Sequence, residues 1–590
     1  MALTKITLRN FKSIGEDAQT IELAPYTLLF GPNSAGKSTL IQSLIYVHEL
    51  LTKGTRDIHK TELGGEAIDL GGFLKTVHGQ NADRDITLEL ECELSREDLN
   101  YWDEASHSWR ENVPWPYFCD SFELRPTGDI KSAFIKLEIG IASPDDPQII
   151  VKRFVSGLNG VALAEIEATS AGKQVAVMCR SVRELYGQYD GESIEIPDSS
   201  DWEFKRTDWW VETDPEIIEG FENYAETDPD GVEAEALTPW SLDQRDALPS
   251  VESSGACLLM QGFDDIERYL DEEEWFEGKG LNELRLVEAI TVRPLEAVLK
   301  ALKQLLYIGP LREIPSRSRL AGAAEAEAAW WNGSRAWEFG SGHNFNPGSS
   351  EEQMNEWLGK DGLKTGYQVR TKTVSEIPED HFIWRLNADD LEDGKFETAI
   401  ADLRRMPSRT RVFLEDESGE LELSAKDVGA GISQIFPVVA ASAVDFYGLL
   451  AIEQPELHVH PALQTELADV FIKSHFKNHN KFLLETHSEH LVLRFLRRIE
   501  ETHANPDSKY FEADRLTGNF TGEDGREFYM EGVPTGEGKH PGVTNNDLVI
   551  YYVEPDKTGA VFHKIEISPD GDMAPWPNGF FTEREEELFG

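Results

Sequence analysis

The sequence predicts an α/β protein with a mixed sheet, an antiparallel β region beside it, and a long interruption between the two halves of the sheet. Three observations predict it. First, a short apolar run, Tyr26-Thr27-Leu28-Leu29-Phe30, leads into a glycine-rich turn and then into residues 38–51, where Leu40, Ile41, Leu44, Ile45 and Val47 recur at helical spacing. Second, residues 85–180 carry alternating stretches (Ile86–Leu90, Phe134–Ile139, Val175–Met178) of the kind that form antiparallel strands. Third, strands return from 409 and pass into a strand-helix-strand-helix run ending near residue 500.

Taken in order, Ile6-Thr7-Leu8 and Ile21-Glu22-Leu23 read as strands ahead of the Tyr26 run. Residues 286–307 read as a helix, broken or kinked near Pro294. Residues 318–350, rich in Ala, Gly, Ser and Asn, read as a connecting loop. The tail, 501–590, is polar with one strand pair near 547–567. The expected division is 1–95, 96–425 (a β region with an acidic insertion at about 181–280 and a helical segment), 426–500, and a C-terminal accessory domain, 501–590. A chain of 590 residues exceeds one hydrophobic core, so two to four folding units are expected.

Charge and cysteine usage exclude several classes. Net charge is −52, and residues 181–280 alone hold 29 acidic and 6 basic side chains. Such a stretch repels phosphate, so any nucleic-acid contact must use other surfaces. A solvated acidic face is the plain reading, and a docking face for a basic partner the sharper one. Cys92, Cys119, Cys179 and Cys257 are scattered without a CxxC pair, which argues against a zinc site or a disulfide framework. No apolar run approaches the roughly 18–20 residues that span a bilayer. The opening MALTKITLRNF alternates like a strand and has no apolar signal core, so a cytoplasmic protein without membrane contact is expected.

Gly31-Pro32-Asn33-Ser34-Ala35-Gly36-Lys37-Ser38-Thr39 matches G-x-x-x-x-G-K-S between a strand and a helix. Its glycines let backbone N–H groups curl around phosphate, Lys37 adds a mobile positive charge for the β- and γ-phosphates, and Ser38 offers a hydroxyl to Mg²⁺. Asn33, Ser34, Ala35, Gly36 and Thr39 complete the loop. Carboxylates near the metal should follow another apolar strand, and Gly448–Glu456 (GLLAIEQPE) supplies Glu453 as the Mg²⁺ partner. About thirty residues on, Phe482-Leu483-Leu484 precedes the polar tip Glu485-Thr486-His487-Ser488, which would bring His487 to the γ-phosphate end. Asp427–Gln434 (DVGAGISQ) places two glycines and Ser433 ahead of an apolar helix, a second anion-seeking turn. One chain already owns a phosphate loop, so Gly431 and Ser433 make sense facing the nucleotide of another subunit.

The set Phe11-Lys12-Ser13, GPNSAGKST, DVGAGISQ, AIEQPELHVHP and ETHSEHL resembles the ABC-type ATPase module of the OLD (overcoming lysogenization defect) family and its SMC and RecF relatives, over residues 1–95 and 425–500. The resemblance implies an ABC-type head interrupted by an α/β insertion. It also implies a homodimer that sandwiches ATP between Lys37 of one subunit and Ser433 of the other. Tyr307–Arg312 (YIGPLR) and Trp576–Phe581 (WPNGFF) are similar to a subgroup with an uncharacterised C-terminal domain in place of a nuclease. Its setting implies an anti-phage defence complex with a separate effector, a nuclease or toxin. The competing implications are a RecF- or SMC-like DNA repair ATPase and a single-chain nuclease.

Two departures matter. The slot after Glu453, where the resemblance implies a water-polarising glutamate, holds Gln454, whose amide orients water without accepting a proton. Either Glu456 serves instead, or hydrolysis is slow. The tail's only Asp-x-Asp, Asp570-Gly571-Asp572, lies in a turn sequence rather than a nuclease site. His458 and His460 are read as loop residues without zinc, and Gln80, in Val77-His78-Gly79-Gln80, as a link between the metal and the inserted region.

Overall fold

The computed structural model describes residues 2–94, 131–143, 146–168, 175–179, 247–249, 292–314, 329–337, 347–360, 362–375, 377–386, 395–406, 408–416, 419, 421–444, 446–504, 515–521, 527–534 and 542–575. The acidic stretch 181–280, apart from residues 247–249, and the WPNGFF ending therefore lie outside the described residues.

Seven antiparallel strands make the first sheet: β1 (Ala2–Arg9), β2 (Gln19–Glu22), β4 (Ile86–Glu93), β5 (Ser132–Ser143), β6 (Asp146–Leu158), β7 (Val161–Ala168) and β8 (Val175–Cys179), in the order β2-β1-β4-β5-β6-β7-β8. The second sheet has six strands: β3 (Tyr26–Phe30), β9 (Leu305–Ile308), β13 (Leu449–Glu453), β14 (Lys481–Glu485), β17 (Leu548–Asp556) and β18 (Gly559–Ile565). Their order is β18-β17-β3-β14-β13-β9, and every pair is parallel except the β17–β18 hairpin. A small sheet of β10 (Tyr367–Ser375), β11 (Ser408–Asp416) and β12 (Glu422–Leu423) and a hairpin of β15 (Arg515–Thr521) and β16 (Glu527–Pro534) complete the strands among the described residues. The helices used below are α1 (Lys37–Lys53), α2 (residues 292–303), α3 (Pro347–Leu358), α4 (Lys395–Arg405), α5 (Ala430–Ser442), α6 (Pro461–Asn478) and α7 (Glu489–Ala504).

The second sheet is buried on both faces, which is why its strands are continuous apolar runs rather than alternating ones. Alternate side chains divide between two cores. Leu29, Ala451, Leu483, Tyr551 and Val553 join α1 and the antiparallel sheet. Leu28, Phe30, Leu450, Ile452, Phe482, Leu484, Ile550 and Tyr552 join α5, α6 and α7. The fold class read from the sequence, a phosphate-loop α/β core with a mixed sheet and an antiparallel sheet, is the one observed.

Three details differ from the sequence reading. Leu305-Leu306-Tyr307, expected at the end of a helix, is strand β9, paired in parallel with β13. A short apolar run covered on both faces has no period of its own, so leucines that extend a helical pattern fit such a strand equally well. The strand pair near 547–567, set apart with 501–590, is β17–β18 of the main sheet, with β17 hydrogen-bonded to β3. Of the expected loop 318–350, the last residues begin α3.

Candidate functional site

Because β3, β14, β13, β9 and β17 run the same way, the segments after their C-terminal ends share one edge of the sheet, the place where open α/β sheets bind ligands. Those segments carry the phosphate loop, the Thr486-His487 tip, the Gln454–His460 turn and the Gly309–Arg312 loop.

The phosphate loop is shaped by close approach. Gly31 (φ 142°) and Gly36 (φ 107°) adopt backbone conformations that favour glycine. A side chain at Gly31 would come 2.3 Å from the carbonyl of Val553 on β17, and one at Gly36 2.3 Å from Ser13 Oγ. Ser13 Oγ also lies 2.7 Å from Thr39 Oγ1, so the Phe11-Lys12-Ser13 segment braces the loop from beneath. Asn33 and Ser34 are exposed, while Ala35 is buried. The α1 N-terminus has no side-chain cap and no acid in its first turn. Lys37 is buried, and its Nζ donates to the carbonyls of Gly31 (3.0 Å) and Pro32 (2.9 Å). Burial pushes its pKa down, against the pull of Glu485, Glu453 and Glu456.

Facing Lys37 are two carboxylates at matched positions on adjacent strands, Glu453 ending β13 and Glu485 ending β14. Glu485 accepts a hydrogen bond from Ser38 Oγ at 2.6 Å and lies 4.0 Å from Lys37 Nζ. Glu453 accepts from the buried Tyr307 hydroxyl at 3.0 Å. Burial, then the neighbouring Glu485 charge, pushes the Glu453 carboxyl up to about 7. Burial raises Glu485 as well, while Ser38 and Lys37 hold it down. Two such acids fit a divalent cation, which replaces the missing solvation.

Arg312 fixes the strand end that presents Glu453. Its Nη2 donates to the Glu453 carbonyl (2.8 Å) and the Gln454 carbonyl (3.2 Å), and its Nη1 to the Gln434 carbonyl (3.3 Å). Gln434 Nε2 returns a bond to the Arg312 carbonyl at 2.8 Å. Gln454 has a left-handed backbone (φ 46°), and its N–H donates to the Glu485 carbonyl at 2.7 Å. The half-buried Gln454 side chain is therefore carried by a backbone pinned from both sides. Replacing Arg312 with Met keeps the bulk and removes the donors, leaving three buried carbonyls short of partners. The expected loss is about 3 kcal/mol of stability, read as a lower urea midpoint with an unchanged slope.

Glu456 faces the next loop rather than open space. One oxygen accepts from Thr486 Oγ1 (2.8 Å), the other from the His487 N–H (2.7 Å). Thr486 Oγ1 accepts in turn from the Ser488 N–H at 3.0 Å. The His487 ring Nε2 is buried and makes no hydrogen bond among the described residues. Burial, then the Lys37 charge, lowers the His487 pKa, which favours the neutral ring. An uncapped helix start and an orphaned ring nitrogen beside Lys37 fit the oxygens of a bound phosphate chain. Lys37 and the loop N–H groups would hold that chain, and Ser38 and Glu453 its metal.

In the glycine turn before α5, Ser433 is fully buried and its Oγ donates inward to the Ala425 carbonyl at 2.8 Å. Exposed there are Gly429 and Ala430, with Gly431 half-buried and close to the His458 carbonyl. Gln80 is exposed in a left-handed turn and shares no hydrogen bond with the phosphate loop among the described residues. His460 caps α6 by accepting from the Ala462 N–H. Asp570-Gly571-Asp572 forms a tight turn closed by bonds between Ser568 and Asp572. No cluster of three or more His, Cys, Asp or Glu side chains suited to a metal occurs among the described residues. No helix among them is long and apolar enough to cross a membrane.

The sequence reading missed Glu485, Tyr307 and Arg312 as members of the site. Tyr307 and Arg312 stood out only as part of YIGPLR. The signal for Glu485 was present: β13 and β14 are five-residue apolar strands, each ending in glutamate.

Two stretches of the chain match ATPase family models. Residues 351–492 match the model of an AAA ATPase domain and residues 5–99 that of an AAA domain. Residues 543–589 match a family described as a protein of unknown function (DUF3696). No curated protein matches. Among solved structures, the SMC head domain from Thermotoga maritima is 8% identical, with 96% of this chain and 100% of that chain covered and a TM-score of 0.33. The Smc head domain with an extended coiled coil, bound to the C-terminal domain of ScpA and derived from Pyrococcus furiosus, is 12% identical, with both chains fully covered (100%) and a TM-score of 0.33.

Proposed function

We propose that this chain binds ATP with Mg²⁺ and hydrolyses it slowly, as an ABC-type ATPase of the SMC, RecF and OLD kind. The observation that carries the reading is the convergence of Lys37, Ser38, Glu453 and His487 from three strand ends on one edge of the sheet. Lys37 neutralises the β- and γ-phosphates. Bound Mg²⁺ supplies the Lewis-acid charge, for which Ser38 and Glu453 are the ligand-bearing groups. His487, held through its backbone by Glu456, offers its free Nε2 to the γ-phosphate, and Gln454 orients water. With both oxygens engaged by the loop that carries His487, Glu456 serves as a positioning residue.

A neutral amide in the water-polarising position favours a long-lived bound form over rapid turnover. That suits a nucleotide-gated scaffold in which two copies close on ATP through the Gly429–Gly431 turn and a separate effector does the downstream work. The likeness of the motifs to the OLD family supports a place in prokaryotic anti-phage defence.

Single-turnover hydrolysis tests the chemistry. Wild type is expected to be slow, and Gln454→Glu about tenfold faster or more, because it supplies a proton acceptor. Glu456→Gln is expected to slow the step only severalfold. Rapid wild-type hydrolysis, indifferent to both changes, would reject the slow-switch reading. Light scattering with a non-hydrolysable ATP analogue checks the dimer.

A further inference from the structure

We propose that Glu485 is a second acid of the cation site, so that a divalent ion is held between carboxylates on two neighbouring strands and the Ser38 hydroxyl. The proposal rests on the nucleotide-site reading above and adds a residue to it.

Three observations carry it. Glu453 and Glu485 are register partners at the ends of β13 and β14, so their side chains leave the sheet on the same face. The hydroxyl suited to the metal, Ser38 Oγ, is bonded to Glu485 at 2.6 Å, whereas Glu453 is held by Tyr307. Glu485 is 6% exposed with one cation, Lys37, at 4.0 Å. Glu453, Glu485 and the neighbouring Glu456 against Lys37 and Arg312 leave a negative balance that burial penalises, and a divalent cation reverses it.

The placement also gives meaning to Gln454. A site built on adjacent acids in one strand would spend both charges at the end of β13. Here the second position on β13 is neutral and the second charge comes from β14. The number of carboxylates is kept, but the added one faces the serine of the phosphate loop.

The test uses the full chain and Mn²⁺ alone, titrated at pH 8 and followed by loss of the free-ion electron paramagnetic resonance signal. ATP affinity in EDTA is measured alongside as a check on the folded loop. Wild type is expected to bind one Mn²⁺. Glu485→Gln and Glu453→Gln should each weaken that binding by tenfold or more, while ATP affinity in EDTA does not fall, since each change removes a negative charge beside the phosphate chain. Should Glu485→Gln lose ATP binding in EDTA, Glu485→Asp provides the reading, with Mn²⁺ affinity at least threefold below wild type expected. Wild-type Mn²⁺ affinity in whichever variant keeps the folded loop overturns the proposal. So does a hundredfold loss of turnover with unchanged Mn²⁺ affinity, which would make Glu485 a proton acceptor instead. Failure of wild type to bind ATP would strike the nucleotide reading and leave the Mn²⁺ comparison standing.

Discussion

Lys37→Ala is expected to weaken ATP binding a hundredfold or more and to remove turnover. Each charge-assisted hydrogen bond to phosphate is worth about 1.5–3 kcal/mol, and the ammonium is placed to make two. The change has a second effect. It deprives the Gly31 and Pro32 carbonyls of their donor and Glu485 of its nearest cation. Both carboxylates should then bind protons more tightly, and the protein without nucleotide should lose stability at pH 8. Fluorescent-nucleotide titration reads the first effect and thermal unfolding the second. Near-normal ATP affinity in Lys37→Ala would remove the phosphate-loop assignment altogether.

Glu453→Gln should separate stability from function. The Glu453 carboxyl is raised to about 7 in the folded protein, from an ordinary 4.5. Between those values the folded state holds a proton that the unfolded chain has released. Stability from this group is therefore greatest below pH 4.5, falls as pH rises through 7, and is flat above it. The decline amounts to about 3 kcal/mol for a buried carboxyl. Glutamine carries no such slope and still offers an oxygen to Tyr307. Without nucleotide or metal, the variant should therefore melt a few degrees above wild type at pH 8 and near it at pH 5, while Mg²⁺-dependent hydrolysis falls a hundredfold or more. A variant less stable than wild type at pH 8 would show that the buried charge is already compensated.

Much of this site was legible because phosphate chemistry imposes local spacing. Lys37 and Ser38 sit in one continuous motif, and Glu453 and His487 follow apolar strands in the required order. What escaped depends on register between strands distant in sequence. Glu485 matters because β14 pairs with β13 residue for residue, which a single strand does not announce. Tyr307 reaches Glu453 only because β9 is an edge strand beside β13, and its leucines had the look of a helix end. The bond made by Ser433 escaped for a different reason. A serine one turn into a helix can satisfy its hydroxyl on a nearby carbonyl, and spacing alone does not say which one.

The hairpin β17–β18 has a consequence for how the protein comes into being. Its backbone closes on Gly31 through Val553, and Ala560 bonds to the Ser13 carbonyl beneath the loop. Tyr551 reaches Glu22 across 529 positions of chain. A ribosome thus makes the glycine loop some five hundred residues before the strand that buttresses it. Until β17 emerges, the loop lacks the backbone that closes on Gly31.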